Sequence, residues 1–252
     1  MNLIIKDSKE QCGKDAARLG MEVINRAIAT KGRANVIFAT GAAQFEMLQT
    51  LVTLPIDWKK VNGFHLDEYI GLSIEHKASF RKFLKERLVD KAHPGNFYYI
   101  NGEGNAGLEC RRLNDLINQH PIDLAFVGIG ENSHLAFNDP PADFETKVPY
   151  IQVTLDEACR KQQMGEGWFK TFDEVPKKAI SMSIHQILKS ECIIAVVPEQ
   201  RKAKAVKLTM ESEIGPDVPA SAMRWHNNTT VFLDRESSSL LKNNEHAGKQ
   251  KL

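Results

Sequence analysis

Cysteine is scarce in this 252-residue chain, and its positions follow no recognisable pattern. The four cysteines are widely separated and include no C-x-x-C pair; they are Cys12, Cys110, Cys159 and Cys192. Such usage argues against a disulfide framework and against a structural zinc site. It predicts reduced thiols, and therefore a cytoplasmic protein.

Long apolar runs and a dominant charge are also missing. No stretch reaches the roughly 18 apolar residues that a membrane-spanning helix needs, and residues 1–10 lack the apolar core of a signal peptide. The formal net charge of +1 favours neither nucleic acid nor an anionic membrane as a partner. We therefore expect no nucleic-acid partner and no membrane partner, whereas the sequence leaves a homo-oligomer open.

Nucleotide and metal signatures are absent as well. The chain contains no Walker loop, no G-x-G-x-x-G fingerprint and no spacing typical of metal ligands. These absences imply no nucleotide, and we expect no metal at the functional site.

Hydrophobic residues make up 42% of the chain, which predicts a packed globular protein. The predicted strands are residues 3–5, 35–40, 61–66, 97–100, 122–127, 150–154, 179–184, 192–197 and 229–233. The first helix is expected to run from a capping-box spacing at Ser8 and Gln11 to Gly32. Further helices are predicted at residues 45–52, 80–88, 108–119, 157–163, 199–210 and 237–241.

This alternation of strands and helices predicts an α/β protein with a mostly parallel sheet and helices on both faces. A chain of this length commonly forms one such domain. We expect a single domain at residues 1–241, followed by a polar, frayed tail at residues 242–252.

The most informative stretch follows the predicted strand at 122–127 and reads G-I-G-E-N-S-H-L-A-F-N-D-P-P. Its two glycines permit a tight turn at the carboxyl end of the strand, where open α/β sheets bind ligands. The turn then carries side chains suited to proton transfer, namely Glu131, Asn132, His134, Asn138 and Asp139. We interpret it as a candidate catalytic site, and the alternative is an N-cap cluster around a hydrogen-bonded histidine.

A second strand end carries the loop T-G-A-A-Q, which comprises Thr40, Gly41, Ala42, Ala43 and Gln44. Because a strand precedes this loop and a helix follows it, backbone N–H groups and the helix dipole point at one spot. The hydroxyl of Thr40 could add a donor. The pattern favours an anion site about as strongly as it favours a plain tight turn.

A third strand end carries two adjacent carboxylates, Asp67 and Glu68. Side chains alternate along a strand, so the two cannot point the same way. We expect one to face the crevice and the other to hold the loop. The alternative is a solvated acidic turn, which is the more common environment for Asp and Glu.

The fourth strand end is the charged segment E-Q-R-K-A-K at residues 199–204. A lysine near a helix start at the carboxyl end of a strand can reach a phosphate. The alternative is a solvated helix face, because surfaces are normally rich in mixed charge.

Three of these segments occur in a fixed order: F-H-L-D-E-Y-I-G-L at residues 64–72, G-I-G-E-N-S-H-L-A-F-N-D-P at 128–140, and Lys202-Ala203. Together they resemble the glucosamine-6-phosphate deaminase (isomerase) family, over nearly the whole chain from about residue 3 to residue 241. The strings D-E-Y-x-G-L and G-x-G-x-x-x-H-x-A-F-N-x-P differ from those of the related 6-phosphogluconolactonases. Residues 139–144 and 156–169 look like a less-studied branch of the family.

The resemblance implies a Rossmann-like three-layer α/β/α fold and catalysis without a metal or an organic cofactor. The family opens the ring of an amino-sugar phosphate, moves a proton between C2 and C1, and releases ammonia to leave fructose 6-phosphate. The matching residues are Asp67 for the proton shuttle, Glu68 for the neighbouring acid, His134 for the histidine that assists ring opening, Thr40, Gly41, Ala42 and Ala43 for the phosphate loop, and Lys202 for the phosphate-binding lysine.

The chain departs from the family pattern at several of these positions. Asn132 stands where well-known members have Asp, and Asp139 stands where Glu is frequent. Ala43 removes one hydroxyl donor from the phosphate loop. We expect Asp139, with Glu131 as a second candidate, to supply the charge that Asn132 lacks beside the histidine, and we count Asp139 and Asn132 as catalytic candidates. Arg160 and Lys161 are the nearby candidates for a second phosphate-binding cation.

Three functions stay open at this point. The first is deamination with isomerisation of glucosamine 6-phosphate or of its epimer galactosamine 6-phosphate. The second is a 6-phosphogluconolactonase-like hydrolase with His134 as its base, against which the retained Asp67-Glu68-Tyr69 string argues. The third is a non-catalytic sugar-phosphate sensor, which would predict an attached DNA-binding module; no basic helix-turn-helix segment is evident.

Overall fold

Ten strands give the protein its layers in the computed structural model, which describes residues 1–242. The strands are β1 (Asn2–Lys6), β2 (Ala34–Phe38), β3 (Val61–His65), β4 (Asp67–Tyr69), β5 (Asn96–Tyr98), β6 (Leu124–Val127), β7 (Tyr150–Thr154), β8 (Lys178–Met182), β9 (Cys192–Val196) and β10 (Thr229–Asp234). Seven of them form one parallel sheet in the order β1-β10-β9-β6-β2-β3-β5. The predicted mostly parallel α/β sheet is therefore confirmed.

Eight α-helices connect or flank the strands in this part of the chain. They are α1 (Lys9–Lys31), α2 (Phe45–Leu51), α3 (Phe80–Leu84), α4 (Asp90–Ala92), α5 (Ala106–Asn118), α6 (Glu157–Gly165), α7 (Ile184–Leu188) and α8 (Ala203–Glu211). The predicted ends of α1 are confirmed: the Ser8 hydroxyl accepts the amide of Gln11 at 3.3 Å, and Gly32 ends the helix with φ +77°. A π-helical turn at Lys85–Val89 joins α3 to α4.

Both faces of the parallel sheet are buried, because neighbouring residues of a strand point to opposite sides. On β2, Val36 and Phe38 pack into the core that contains residues of α1 and α2, and Phe38 stacks on Phe126 with 5.8 Å between ring centroids. Ile37, which lies between them, packs with Phe64 into the core that contains residues of α5, α7 and α8. The strands therefore read as continuous apolar runs.

A second sheet, which the sequence patterns do not predict, has three antiparallel strands in the order β4-β8-β7. Asp67 of β4 pairs with Ser181 of β8, so the acidic pair lies within a strand of its own. The predicted strands at 150–154 and 179–184 belong to this sheet, and Ile184 begins α7 instead of ending a strand. The chain passes from the parallel sheet to the second sheet within one residue, because β3 ends at His65 and β4 begins at Asp67.

The carboxyl-terminal predictions hold only in part. The helix predicted at 199–210 is a 3-10 turn, Gln200–Lys202, followed by α8. The helix predicted at 237–241 is wrong, because this segment forms successive turns in which the Ser238 amide donates to Asp234 and the Leu241 amide donates to Ser238. All but the first residue of the predicted tail at 242–252 lies outside the described residues. No helix of residues 1–242 is long and apolar enough to cross a membrane.

Candidate active site

An open cleft lies where the central strands β2, β6 and β9 end. The four predicted strand ends meet there, because parallel strands bring their carboxyl ends to one edge of the sheet. The predicted residues that line the cleft are Thr40, Gly41, Ala42, Ala43, Asp67, His134 and Lys202. Glu68, Asn132 and Asp139 are not part of its lining, but each contacts a residue that is: Glu68 contacts Phe80, and the other two contact His134.

The loop after β2 presents backbone donors to the cleft. Gly41 has φ +96°, which favours glycine, and the chain then makes a 3-10 turn at Ala42–Gln44 that leads into α2. The Gln44 amide donates to the Gly41 carbonyl at 3.0 Å, whereas the amides of Gly41, Ala42 and Ala43 have no acceptor within residues 1–242. Neighbouring N–H groups without acceptors form a site for an anion.

Asp67 reaches the cleft from β4 and is only 6% exposed. Burial raises the pKa of its carboxyl group to about 8, and the adjacent Glu68 carboxylate adds to the rise. A carboxyl group with a pKa near the working pH can both accept and return a proton.

Glu68, by contrast, is fully buried and saturated with hydrogen bonds. Its carboxylate accepts from the amides of Tyr69 (2.9 Å), Phe80 (3.3 Å) and Arg81 (2.7 Å) and from the Ser79 hydroxyl (3.1 Å). Burial raises its pKa, although the backbone donors and Arg81 oppose the rise. The prediction that one carboxylate faces the crevice and the other holds the loop is confirmed, and the alternative of a solvated acidic turn is wrong.

The turn after β6 presses His134 against its own backbone. The Gly130 amide donates to the His134 carbonyl, and the Ser133 amide donates to the Gly130 carbonyl, both at 3.0 Å. A Cβ atom at Gly130 would lie 2.2 Å from the His134 ring, so only glycine leaves room for the imidazole. The second glycine of the motif therefore positions the histidine.

Asp139 and Asn132 contact His134, and Asp156 in turn contacts both of them. Nδ1 lies 3.2 Å from the Asp139 Oδ1 atom, without the alignment of a hydrogen bond. Asn132 donates from Nδ2 to Asp139 and to Asp156, each at 3.1 Å, and its Oδ1 accepts the His134 amide at 3.2 Å. Burial alone would raise the Asp139 pKa, but His134 and the Asp156 amide outweigh it and lower that pKa. Asp139 is thus held as a carboxylate beside the imidazole.

Lys202 is a buried cation on the cleft surface, with 4% of its area exposed. Its ammonium forms no hydrogen bond and no ion pair within residues 1–242. Burial lowers its pKa to about 8, while the more distant carboxylates of Glu166, Glu131 and Glu199 oppose the fall. A buried charge without a partner is unfavourable until an anion binds to it, so the alternative of a solvated helix face is wrong for Lys202.

Residues that the sequence reasoning missed also line the cleft: Gln162 and Gln163 of α6, Glu166 after it, and Arg201. Arg201 donates to Glu199 at 2.6 Å, to Glu166 at 3.0 Å and to Glu131 at 3.2 Å. The only signals in the sequence were the K-Q-Q-M-G-E-G-W-F string and the position of Arg201 directly before Lys202.

The two basic residues suggested for the phosphate do not reach the cleft. Arg160 is 7% exposed, lies 4.0 Å over the Phe172 ring and donates to the Val175 carbonyl at 2.9 Å. Lys161 forms an exposed ion pair with Glu157 at 2.5 Å. Both candidates are wrong, because α6 turns these side chains away from the site.

One group of described residues has the composition of a metal site. His134, Asp139 and Cys159 place one ligand atom each within 4.8 Å of one another. Burial raises the pKa of the Cys159 thiol far above its usual range, with the carboxylate of Asp139 adding to the rise. Since a metal binds the thiolate, that environment opposes metal binding.

Sequence comparisons extend along almost the entire chain. The family model for glucosamine-6-phosphate isomerases/6-phosphogluconolactonase matches residues 7–232. The glucosamine-6-phosphate deaminase of Bacillus pumilus is 37% identical over 248 residues, which cover 95% of this chain and 100% of that protein. The glucosamine-6-phosphate deaminase of Lactobacillus delbrueckii subsp. bulgaricus is 33% identical over 243 residues, which cover 96% of this chain and 100% of that protein.

Solved structures share the fold. A monomeric glucosamine-6-phosphate deaminase has a TM-score of 0.88 and 31% sequence identity, over 95% of this chain and 100% of that one. A 6-phosphogluconolactonase from Shewanella baltica has a TM-score of 0.75 over 93% of this chain and 97% of that one, but its 18% identity supports the fold alone. The family predicted from the motifs is therefore confirmed, and this chain belongs to the glucosamine-6-phosphate isomerase/6-phosphogluconolactonase family.

Proposed function

We propose that this protein converts glucosamine 6-phosphate and water into fructose 6-phosphate and ammonia. The observation that carries the proposal is Asp67, a buried carboxyl group with a pKa of about 8 on the same cleft as the unpaired Lys202 ammonium. Isomerising a sugar phosphate requires these two elements, a proton carrier and an anion site, at a distance fixed by the sugar. The deaminase relatives at 33–37% identity support the amino sugar as substrate.

The phosphate is proposed to bind at the loop after β2. Gly41, Ala42 and Ala43 offer backbone N–H groups that have no acceptor within residues 1–242. The hydroxyl of Thr40 adds a donor, and the Lys202 ammonium supplies the charge. Hydrogen bonds to a charged group are stronger than those between neutral groups, so the phosphate would anchor the substrate.

Asp67 is proposed to carry the proton between the two carbons. It takes the proton from C2 of the open-chain sugar, so that the C2–H electron pair forms a C1=C2 double bond while the C1 carbonyl oxygen takes a proton from the C2 ammonium group. Asp67 then returns its proton to C1, which leaves a C2=N imine. Water adds to this imine carbon, the C2–N bond breaks and ammonia leaves, which makes C2 the ketone carbon. The carboxylate form is needed for the first step, so a pKa of about 8 places its ionisation within the working range.

His134 is proposed to open the sugar ring, by moving the proton of the C1 hydroxyl to the ring oxygen. Nδ1 faces Asp139, which leaves Nε2 for the substrate. A carboxylate beside an imidazole fixes its tautomer and stabilises its protonated form. Asn132 cannot supply that charge, so we assign the electrostatic role to Asp139 and the orienting role to Asn132.

We place this activity in the cytoplasm and propose that it needs no metal. The four cysteines are all buried and unpaired, which agrees with a reducing compartment. Asp67 and His134 carry the proton transfers in this scheme, so neither ring opening nor isomerisation calls for a metal-bound water.

Ammonia release from purified protein tests the proposal. Protein stripped of metals with a chelator is offered glucosamine 6-phosphate, galactosamine 6-phosphate and 6-phosphogluconolactone in parallel. Ammonia and a ketose 6-phosphate from the first substrate are the expected products. Lactone hydrolysis without ammonia would assign the lactonase activity instead, and tight binding of a sugar phosphate without any turnover would assign a sensor.

A further inference from the structure

Two consecutive glutamines of α6 line the cleft, and the proposed mechanism uses neither of them. Gln162 and Gln163 belong to the string K-Q-Q-M-G-E-G-W-F at residues 161–169. An amide offers two donors and one acceptor oxygen. The hydrogen bonds that each amide makes within the protein therefore decide what it can still offer to a ligand.

The amide of Gln162 is used by the protein. Its Oε1 atom accepts the Glu131 amide at 2.8 Å, and its Nε2 atom donates to the Glu166 carboxylate at 3.1 Å. These bonds join α6 to the turn that carries the catalytic histidine. Gln162 is therefore a structural link, although it touches the cleft.

Only the oxygen of the Gln163 amide is hydrogen-bonded to the protein. Its Oε1 atom accepts the Tyr69 hydroxyl at 2.8 Å, and this bond is buried. Within residues 1–242 its Nε2 atom donates to no acceptor, although the residue is only 5% exposed and lines the cleft. Because this Nε2 atom keeps contact with the open cleft, an acceptor oxygen of a ligand there can take its hydrogen bond in place of water.

Tyr69 holds this amide in one orientation. Its ring is fully buried, with centroids 5.0 Å from Phe80, 5.2 Å from Phe137 and 5.6 Å from Phe169. Tyr69 is also two residues after Asp67 on β4, so both side chains leave the same face of the strand. The Gln163 donor is therefore fixed on the Asp67 side of the cleft.

We propose that Gln163 Nε2 donates a hydrogen bond to a sugar hydroxyl, on C3 or C4 of the substrate. This inference rests on the proposed function: with the phosphate on C6 at Lys202 and C2 at Asp67, the hydroxyls on C3 and C4 occupy the cleft between them. A hydroxyl oxygen accepts from an amide N–H, whereas the ammonium form of the amino group cannot. Tyr69 is the positioning residue for this contact.

Deoxy substrates test the contact directly. Glucosamine 6-phosphate, its 3-deoxy analogue and its 4-deoxy analogue are compared on the wild type, Gln163→Leu, Tyr69→Phe and the matched neighbour Gln162→Leu. The measured quantity is the ratio of kcat/KM between the parent sugar and each analogue. Because the ratio is taken within one variant, a general loss of activity cancels.

In the wild type, one of the two deoxygenations should lower kcat/KM by up to about tenfold, the upper range for one neutral hydrogen bond. Gln163→Leu should abolish this discrimination, Tyr69→Phe should reduce it, and Gln162→Leu should retain it. Equal discrimination in the wild type and in Gln163→Leu would overturn the inference.

Failure of the proposed function gives a different result. If the wild type releases no ammonia, the same ratios are measured as dissociation constants by calorimetry with the three sugar phosphates. Coupling between Gln163 and one hydroxyl would then uphold the contact while the deamination fails. Absence of coupling in binding would overturn both the contact and its place in the site.

Discussion

The cleft has a phosphate end, formed by residues 40–44 with Lys202, and a proton-transfer end, formed by Asp67 with His134 and Asp139. At the phosphate end burial shifts the pKa of a cation, and at the proton-transfer end it shifts the pKa of a carboxyl group. Burial lowers the pKa of Lys202 and raises that of Asp67, and both arrive at about 8. The same desolvation thus works in opposite directions on opposite charges. Neither group has a charged partner in hydrogen-bond contact, so each is open to substrate.

Two neighbouring carboxylates, Glu68 and Asp139, show how hydrogen-bond partners would change the properties of Asp67. Glu68 accepts four hydrogen bonds and secures the start of α3, and Asp139 is kept ionised by His134 and its neighbours. The two adjacent carboxylates of β4 therefore have separate roles, because Glu68 accepts hydrogen bonds from the protein whereas Asp67 accepts none within residues 1–242. The contrast predicts where a substitution changes chemistry, binding or neither.

Removing the proton carrier should have the largest effect. Asp67→Asn keeps the shape of the side chain but cannot accept the C2 proton, so kcat should fall by about 10²- to 10⁴-fold, the usual worth of a general base. Exchange of the C2 proton with deuterated water should vanish in parallel. Sugar-phosphate affinity, measured by calorimetry, should hold because the phosphate binds at the other end. Turnover near the wild-type rate would show that Asp67 is a structural acid.

The shared pKa predicts a narrow pH profile. Asp67 must be deprotonated to act as a base, so kcat/KM should rise with pH up to about 8. Lys202 must be protonated to bind phosphate, so kcat/KM should fall above about 8. Two pH units below the maximum, the loss relative to the maximum should be about 25-fold, because at pH 8 only about a quarter of the molecules have both groups in the required form. Lys202→Arg keeps its charge at higher pH and should remove only the alkaline fall. Since the substrate is the same, its own ionisation cannot cause that difference. A flat profile would contradict both assignments.

Removing the cation should affect binding alone. Lys202→Ala loses a hydrogen bond to a charged group, worth about 1.5–3 kcal/mol, so affinity for 6-phosphorylated sugars should drop roughly 10- to 100-fold. Calorimetry with phosphorylated and unphosphorylated glucosamine separates this from a general effect. Lys204→Ala is the matched control, because Lys204 is exposed on α8 and outside the cleft. An equal loss for both sugars would remove Lys202 from the phosphate site.

Local patterns predicted the residues at the strand ends, whereas contacts distant in sequence decided the rest of the site. The turn after β6 and the loop after β2 can be recognised because glycine, strand and helix signals lie within a few residues. The Tyr69–Gln163 bond joins residues 94 positions apart, and β4 pairs with β8 across a similar distance. Arg160 was misassigned because sequence proximity does not reveal which side of α6 meets the cleft. Lys202 could be found only because it follows a recognisable strand.

The smallest effects are expected for substitutions beside His134, where the charge of Asp139 can be distinguished from the orienting contacts of Asn132. Asp139→Asn removes the carboxylate 3.2 Å from Nδ1 and should lower kcat by about 10- to 100-fold, the size expected when a close charged partner is lost. Asn132→Ala removes an uncharged amide that orients the turn through Asp139, Asp156 and the His134 amide but supplies no charge, and it should cost less than about tenfold. Thermal unfolding of both variants controls for damage, since each also contacts Asp156.

The two variants should differ in ring opening and agree in binding. An open-chain amino-alditol 6-phosphate needs no ring opening, so both variants should bind it as the wild type does, while their kcat values with cyclic glucosamine 6-phosphate diverge. If Asn132→Ala proves the slower enzyme, orientation of the imidazole matters more than its electrostatic stabilisation, and Asp139 serves mainly to hold Asn132 and the start of α6 in place.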